Sequence, residues 1–174
     1  MANRTSASEC YVGLGSNLNQ PDKQIEVALG ELHHLPGTRC VRVSSLYHSD
    51  PMGSVDQPDY VNAVAKLVTS YPAFELLQQL LNIENLHGRT RQPQQRNSPR
   101  TLDLDLLLYG DLVINEPGLT LPHPGLHQRD FVVLPLLEIS PEITIPGLGV
   151  LSSWRKKSKH YGARVGARPD WPLS

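Results

Sequence analysis

The sequence has very little cysteine, and this scarcity excludes several classes of protein. Cys10 and Cys40 are the two cysteines among 174 residues, and they form neither a CxxC pair nor a spacing typical of a zinc site. Two buried thiols in a reducing compartment are therefore predicted rather than a disulfide. The chain also lacks an apolar run of membrane-spanning length, and residues 1–8 lack the apolar core of a signal peptide. These absences predict a cytoplasmic protein.

The chain also has almost no net charge. With 16 basic and 17 acidic residues the formal charge is −1, so no general attraction to nucleic acid or to an anionic membrane is expected. An apolar content of 39% over 174 residues is enough for one domain with a substantial core. We predict a single domain over residues 8–150, followed by a basic, partly ordered tail over residues 151–174.

Glycine-rich nucleotide-binding motifs are missing as well. The phosphate-loop pattern that ends in Gly-Lys-Ser or Gly-Lys-Thr does not occur in the chain. Gly13 and Gly15, spaced as Gly-x-Gly, lack the third glycine of a dinucleotide fingerprint. We interpret this stretch as a tight turn between a short buried strand and a helix.

A pair of carboxylates lies on one strand-like stretch of the chain. Between Thr101 and Tyr109, leucines alternate with Asp103 and Asp105, so the leucines share one face and the carboxylates share the other. Residues two apart on a strand lie roughly 6–7 Å apart, and carboxylates so placed repel each other unless a cation lies between them. Hard oxygen ligands without neighbouring cysteine or histidine favour Mg²⁺, which fills its other positions with water and phosphate oxygens.

An arginine-rich segment directly precedes this strand. Residues 88–100 contain four arginines and three glutamines but no acidic and no large apolar residue, which predicts a long loop. Arginine forks match phosphate oxygens, so loop and strand together indicate a site for a metal–polyphosphate complex. From the pattern alone, a solvated loop beside an ordinary amphipathic strand explains the features equally well. Their immediate succession favours the site.

The rest of the chain predicts strands and helices in turn. Predicted helices cover residues 21–35, 72–86 and 130–139, and predicted strands cover residues 10–14, 39–48, 60–69, 101–109 and 112–114. Residues 49–58 and 119–125 are predicted as loops because they are rich in turn formers. Tyr60 and Asn62 share one strand face, where ring and amide could bracket a flat heterocycle; a strand-end aromatic beside a solvated amide is the alternative.

Five motifs, in order along the chain, resemble one enzyme family. They are Gly-Leu-Gly-Ser-Asn at 13–17, Asp-Gln-Pro-Asp-Tyr-Val-Asn at 56–62, Ile-Glu at 83–84 followed by Gly-Arg-Thr-Arg at 88–91, Pro-Arg-Thr-Leu-Asp-Leu-Asp at 99–105 and Leu-Pro-His-Pro at 121–124. The block at 99–105 is highly specific. Over residues 11–142 the chain resembles the 6-hydroxymethyl-7,8-dihydropterin pyrophosphokinases of folate biosynthesis.

The resemblance implies a fold, a reaction and a set of ligands. The fold is α+β, a ferredoxin-like sandwich with a mixed or antiparallel sheet, helices packed on it and long active-site loops. The reaction transfers pyrophosphate from ATP to the pterin hydroxymethyl group and releases AMP, with two Mg²⁺ ions as cofactors. The implied partners are the pterin and ATP, and we expect a monomer that binds neither nucleic acid nor a membrane.

The resemblance also assigns roles, motif by motif. Asp103 and Asp105 would hold the two Mg²⁺ ions, and Asp105 could help to deprotonate the hydroxyl group. The arginines that would steady the triphosphate as catalytic residues are Arg89, Arg91 and Arg100. The residues that would bind the pterin, with the two aromatic rings stacking on its faces, are Ser49, Pro51, Met52, Tyr60, Asn62 and Phe131. The residues that would contact ATP are Glu84, Leu106, Thr120, His123 and Arg129.

Three positions depart from the family pattern and keep alternatives open. Asn97 replaces a common tryptophan, Leu81 a common glutamine and Gly118 a basic residue. The first alternative is an auxiliary relative that binds pterin or nucleotide with weak or no turnover. The second is a metal-dependent phosphohydrolase acting on nucleotides, against which the aromatic bracket argues. Nucleic-acid binding through the basic tail rests on charge alone.

Overall fold

The computed structural model describes residues 6–51, 56–88 and 101–169. Its helices are α1 (Pro21–His33), α2 (Ala73–Leu86) and α3 (Asp130–Ile139). Its strands are β1 (Ser8–Ser16), β2 (Thr38–Val43), β3 (Tyr47–Ser49), β4 (Tyr60–Thr69), β5 (Asp103–Tyr109), β6 (Ile114–Glu116), β7 (Leu119–Leu121), β8 (Thr144–Ile145), β9 (Gly149–Val150) and β10 (Arg164–Val165). No helix among the described residues has both the length and the apolar character that a membrane crossing requires.

The central sheet has antiparallel neighbours throughout the described part of the chain. Its strands follow the order β10-β3-β4-β1-β5, and β2 pairs with β4 as well. β1 runs along β4 from end to end, whereas β2 and β3 pair with successive halves of β4. The pairs β6–β7 and β8–β9 form separate two-stranded sheets. The predicted α+β, ferredoxin-like sandwich is confirmed, and of its two predicted sheet types the antiparallel one is found.

Helices α1 and α2 cover one face of this sheet. The alternating side chains of Val61, Ala63, Ala65 and Leu67 on β4 point into this layer. The apolar residues of α1, α2 and β5 that join them include Ile25, Leu29, Leu32, Leu76, Leu80, Ile83, Leu104 and Leu106. Each fully buried leucine or isoleucine contributes roughly 1.5–3 kcal/mol of stability. Because this core holds the leucine face of β5, its carboxylates must face the other way.

Helix α3 covers part of the opposite face. Val133, Leu136 and Ile139 of α3 belong to a second apolar cluster, which also contains side chains from β1, β4 and β5. Leu107 of β5 belongs to this cluster as well. The carboxylate face of β5 and helix α3 are therefore on the same side of the sheet.

Most of the predicted elements are confirmed, some with shifted ends. The strand at 60–69 and the helix at 130–139 have the predicted bounds. The first helix ends at His33 and the second begins at Ala73, with Pro72 preceding its first turn. The strand predicted over 10–14 extends over Ser8–Ser16, and the one predicted over 101–109 begins at Asp103.

The single strand predicted over residues 39–48 is wrong. β2 ends at Val43 and β3 begins at Tyr47 because Ser44 diverts the strand ladder. The Ser44 Oγ accepts a hydrogen bond from the Val64 N–H at 2.9 Å, and the Ser44 N–H donates to the Val64 carbonyl at 2.9 Å. The Ser45 N–H donates a hydrogen bond to the carboxylate of Glu138 on α3 instead of to a neighbouring strand. Serine side chains that compete with a strand ladder leave the alternation pattern unchanged, so the pattern does not reveal them.

The prediction for the region after β5 is also corrected by the structure. The return strand predicted at 112–114 begins only at Ile114, and the predicted loop at 119–125 starts with strand β7. β6 and β7 form a hairpin joined by Pro117 and Gly118, and Gly118 has a φ of 87°. Proline followed by a glycine with positive φ is the signature of a type II turn. The signal for this hairpin was present in the sequence.

Both thiols are expected to be unreactive in the folded protein. Cys10 and Cys40 are buried and free, and burial raises the pKa of each to about 12. At pH 8 a shift from the ordinary value of 9.0 lowers the thiolate fraction by about a thousandfold. An aromatic disulfide reagent should therefore label the native protein slowly and the unfolded protein rapidly at two sites.

The same thiols predict a loss of stability in alkali. A pKa that is raised on folding contributes stability that is fully present below the unfolded value and is lost as pH rises through the folded value. The melting temperature should therefore fall between pH 9 and pH 12, and Cys40→Ala should reduce that fall. Rapid labelling of Cys10 and Cys40 in the native protein at pH 8 would contradict the prediction that both thiols are buried and have a raised pKa.

Candidate active site

A cavity of about 240 Å³ opens between the sheet and the start of α3. The residues that line it are Gly13, Leu14, Gly15, Ser49, Asp50, Tyr60, Asn62, Ala63, Val64, Asp103, Asp105, Leu107, His123, Arg129, Phe131 and Val132. The lining combines carboxylates, an imidazole, a guanidinium and two aromatic side chains on one concave surface. Such a mixture suits a ligand that is both planar and charged.

Asp103 and Asp105 face this cavity from β5, as the alternation predicts. In the pairing of β1 with β5, Asp105 lies opposite Gly13 and Asp103 lies opposite Gly15. Neither glycine has a side chain that could cover the carboxylates, and the Asp105 side chain is 38% exposed. The turn predicted from Gly15 onward is wrong, because β1 continues through Ser16, and both glycines lie inside this strand and leave room beside the acids.

Gly15 also leaves room for the side-chain amide of Asn62. Asn62 lies opposite Gly15 on β4, and a Cβ at position 15 would be 3.3 Å from the Asn62 Oδ1. The Asn62 Nδ2 donates a hydrogen bond to the Ser49 Oγ at 2.8 Å, and Asn62 is only 5% exposed. The contact with Ser49 fixes the plane of the amide, so its polar edge has a defined direction at the cavity wall.

His123 directs Nε2 toward the carboxylates. Its Nδ1 accepts a hydrogen bond from the Gly125 N–H at 3.0 Å, so the neutral ring carries its proton on Nε2. The Nε2 lies 3.9 Å from the Asp105 Oδ1. Burial lowers the pKa of His123, the charge of Arg129 lowers it further, and the charge of Asp103 acts in the opposite direction. The neutral imidazole presents an N–H donor to the cavity.

Arg129 and Phe131 supply the opposite wall. Arg129 precedes α3 in an extended conformation, and its guanidinium carbon lies 6.0 Å from the centre of the Phe131 ring. Gly125 makes space for that side chain, since a Cβ there would lie 3.0 Å from the Arg129 Cζ. A cation and an aromatic face therefore adjoin at the mouth of the cavity.

The structure brings most of the described candidate residues together. The predicted residues that line the cavity are Ser49, Tyr60, Asn62, Asp103, Asp105, His123, Arg129 and Phe131. The predicted residues that are described but are not part of this lining are Pro51, Glu84, Leu106 and Thr120. The predicted residues Met52, Arg89, Arg91 and Arg100 lie outside the described residues, as does the departure at Asn97.

Glu84 contacts β5 from the α2 side. It is 1% exposed, and its Oε1 accepts a hydrogen bond from the Leu104 N–H at 2.9 Å, between the two aspartates. Leu106 is buried in the core below the sheet, and Thr120 is exposed on β7. The side chain of Glu84 therefore supports the strand that carries the acids.

The reasoning from sequence missed eight lining residues, which are Gly13, Leu14, Gly15, Asp50, Ala63, Val64, Leu107 and Val132. A glycine inside a strand often marks a place where another group approaches the backbone closely, and the two glycines could have been recognised on that ground. Asp50 gave no comparable signal, because an aspartate in a turn-rich segment reads as a turn former.

The fold is shared with solved structures. It superposes on Plasmodium falciparum HPPK-DHPS with a TM-score of 0.72 and 14% sequence identity, covering 90% of this chain and 46% of that one. The present chain thus spans about half the length of that protein. At this identity the likeness establishes the architecture alone.

Sequence similarity establishes the family. The model of the 7,8-dihydro-6-hydroxymethylpterin-pyrophosphokinase (HPPK) family matches residues 11–141, and the chain belongs to this family. It is 46% identical over 147 residues to the 2-amino-4-hydroxy-6-hydroxymethyldihydropteridine pyrophosphokinase of Haemophilus influenzae, covering 84% of this chain and 91% of that one. It is 47% identical over 136 residues to the enzyme of the same name from Pseudomonas aeruginosa, covering 78% and 83% respectively.

Proposed function

We propose that this protein transfers pyrophosphate from ATP to the hydroxymethyl group of 6-hydroxymethyl-7,8-dihydropterin in folate biosynthesis, using two Mg²⁺ ions held by Asp103 and Asp105. Family membership gives the reaction class. In this reaction the hydroxyl oxygen bonds to the β-phosphorus of ATP, the bond from that phosphorus to the α–β bridging oxygen breaks, and AMP leaves. The domain responsible would span residues 8–150.

The observation that carries the proposal is the shared cavity. Asp103 and Asp105 face the same space as Tyr60, Asn62 and Phe131, so a phosphate chain and a flat ring could bind next to each other. A phosphohydrolase, which binds no second organic substrate, would not need an aromatic bracket for a pterin beside the carboxylates. Transfer between two bound substrates depends on positioning and charge neutralisation more than on covalent chemistry.

The carboxylates fit Mg²⁺. In the described part of the chain no group of three or more histidine, cysteine or acidic residues is gathered into a metal cage. A pair of acids on one strand is the donor set that Mg²⁺ uses when phosphates and water complete its shell. When bound, the metal would neutralise phosphate charge during the transfer.

The chain's own residues would do the remaining work. The His123 Nε2–H, 3.9 Å from Asp105, is placed to donate to a phosphate oxygen, and Arg129 offers its guanidinium from the opposite wall. Asp105 would also take part in removing the hydroxyl proton. Asn62, oriented by Ser49, would read the polar edge of the pterin, while Phe131 would stack on its face.

The other predicted contacts stay proposals. Arg89, Arg91 and Arg100 would steady the triphosphate, and backbone groups near Pro51 and Met52 would meet the pterin edge. Thr120, which is exposed on β7, would contact ATP, and Leu106, whose side chain is buried, would do so through its backbone. For Glu84 we propose an indirect role, through the strand that it supports.

The cell compartment and the oligomeric state also remain predictions. Cys10 and Cys40 are free, which agrees with the reducing, cytoplasmic compartment predicted from the sequence. A monomer is expected to suffice, since one chain supplies the cavity described above.

A product assay tests the proposed reaction. The protein is incubated with Mg²⁺ and ATP, with and without the hydroxymethyl-dihydropterin, and the nucleotides are separated by chromatography. AMP that forms only when both pterin and Mg²⁺ are present is the expected result, with none after chelation of the metal. ADP and phosphate without pterin would indicate the hydrolase, and ligand binding without turnover would indicate the auxiliary relative.

A further inference from the structure

The C-terminal segment 159–167 joins two walls of the cavity, although the family match ends at residue 141. At one end, the Lys159 N–H donates to the Gln128 carbonyl at 2.8 Å and the Lys159 carbonyl accepts from the Asp130 N–H at 3.1 Å. At the other end, β10 pairs with β3. Between them, the Tyr161 carbonyl accepts a hydrogen bond from the Asp50 N–H at 2.7 Å. The segment therefore connects the start of α3 with the end of β3.

A buried carboxylate strengthens this connection. Asp130, the first residue of α3, is 4% exposed, and its Oδ2 accepts hydrogen bonds from the Tyr161 N–H at 3.0 Å and the Ala163 N–H at 3.1 Å. Hydrogen bonds to an ionised acceptor are stronger than those between neutral groups. Gly162, between the two donors, has a φ of 67°, and a Cβ there would lie 2.7 Å from the Asp50 Oδ2. The positive φ favours glycine at this position, and the Asp50 carboxylate would have to move to admit a side chain there.

Tyr161 contacts the aromatic wall directly. Its ring meets the Phe131 ring edge-on, with 5.4 Å between the centres and 64° between the planes. Phe131 lines the cavity and Tyr161 does not, so Tyr161 restricts the Phe131 ring from outside. A stacking surface that is already fixed loses less conformational freedom when the ligand binds.

We propose that residues 159–167 position the pterin-binding walls and that Tyr161 is a positioning residue for Phe131. This inference rests on the proposed function, because it takes Phe131 to stack on the pterin. Removal of the Tyr161 ring should weaken pterin binding by about fivefold to tenfold, in the upper part of the range expected for one aromatic edge-to-face pair. The ATP KM should be unaffected by this substitution, since the Tyr161 ring contacts Phe131, which is assigned to the pterin.

The test compares variants in binding and in turnover. The dissociation constant of the pterin is measured by calorimetry with Mg²⁺ and an ATP analogue that has a methylene group between the α and β phosphorus atoms. KM for each substrate and kcat are measured in parallel. Tyr161→Ala should raise the pterin dissociation constant and the pterin KM about fivefold to tenfold, with kcat and the ATP KM within about twofold.

Three further variants make the result specific. Tyr161→Phe keeps the ring and should restore wild-type binding, and the exposed neighbour His160→Ala should also match the wild type. Tyr161→Leu keeps apolar bulk without the ring and decides the outcome should the alanine variant not fold. Unchanged pterin binding in the alanine or leucine variant would overturn the inference, as would a parallel rise for ATP. Wild-type protein that binds pterin without forming AMP would instead overturn the proposed function.

Discussion

Asp105→Ala is expected to lower kcat by a factor on the order of 10³ or more while leaving the fold intact. The magnitude follows from losing several kcal/mol of charge stabilisation in the transition state, at about 1.4 kcal/mol for each factor of ten. The fold should survive because the Asp105 side chain faces the cavity and is 38% exposed. AMP release measures the activity, and circular dichroism with the melting temperature measures the fold.

Asp111→Ala is the matched control. Asp111 is an exposed aspartate in the turn that follows β5, so its removal changes charge near the same strand without touching the cavity. Its activity should equal that of the wild type, and Asp103→Ala should behave like Asp105→Ala. Near-wild-type turnover by Asp105→Ala, at normal Mg²⁺ concentration, would refute the metal assignment.

Glu84→Ala is expected to lower the free energy of unfolding by about 3 kcal/mol, the sum of a lost buried hydrogen-bond partner and a cavity. Its carboxylate accepts a hydrogen bond from the Leu104 N–H, and the truncation leaves this buried donor without its acceptor. In a chain of this size the melting temperature should fall by about 6–12 °C. Thermal and denaturant unfolding both measure the change.

Two variants distinguish support of β5 by Glu84 from direct contact between Glu84 and ATP. Glu75→Ala removes an exposed glutamate from the same helix and should change stability by less than about 0.5 kcal/mol. Glu84→Gln keeps an acceptor oxygen and most of the volume, so it should lose less stability and leave the KM for ATP unchanged. A normal melting temperature with a large rise in the ATP KM would show that Glu84 contacts the nucleotide instead.

The central part of the site could be predicted because its information is local. Asp103 and Asp105 alternate with leucines, and burial of the leucine face fixes the direction of the acids. The same argument placed Tyr60 and Asn62 on one face of β4. In each case the period of a single strand decides which side chains share a surface.

The parts that escaped prediction depend on contacts between distant segments. Gly13 and Gly15 matter because of what lies opposite them on β4 and β5, and no local pattern states that pairing. The support of Leu104 by Glu84 crosses from a helix to a strand. Ser44 ends β2 through a side-chain hydrogen bond to β4, which an apolar/polar alternation does not encode.

β5 is the last strand of the sheet, and two contacts partly occupy its outer edge. The Glu84 carboxylate takes the Leu104 N–H, and the His123 N–H donates to the Leu107 carbonyl at 2.9 Å. An open strand edge invites a second molecule to add a strand, which is a common route to aggregation. By engaging these backbone groups, the chain keeps the strand that carries its acids from acting as a template for self-association.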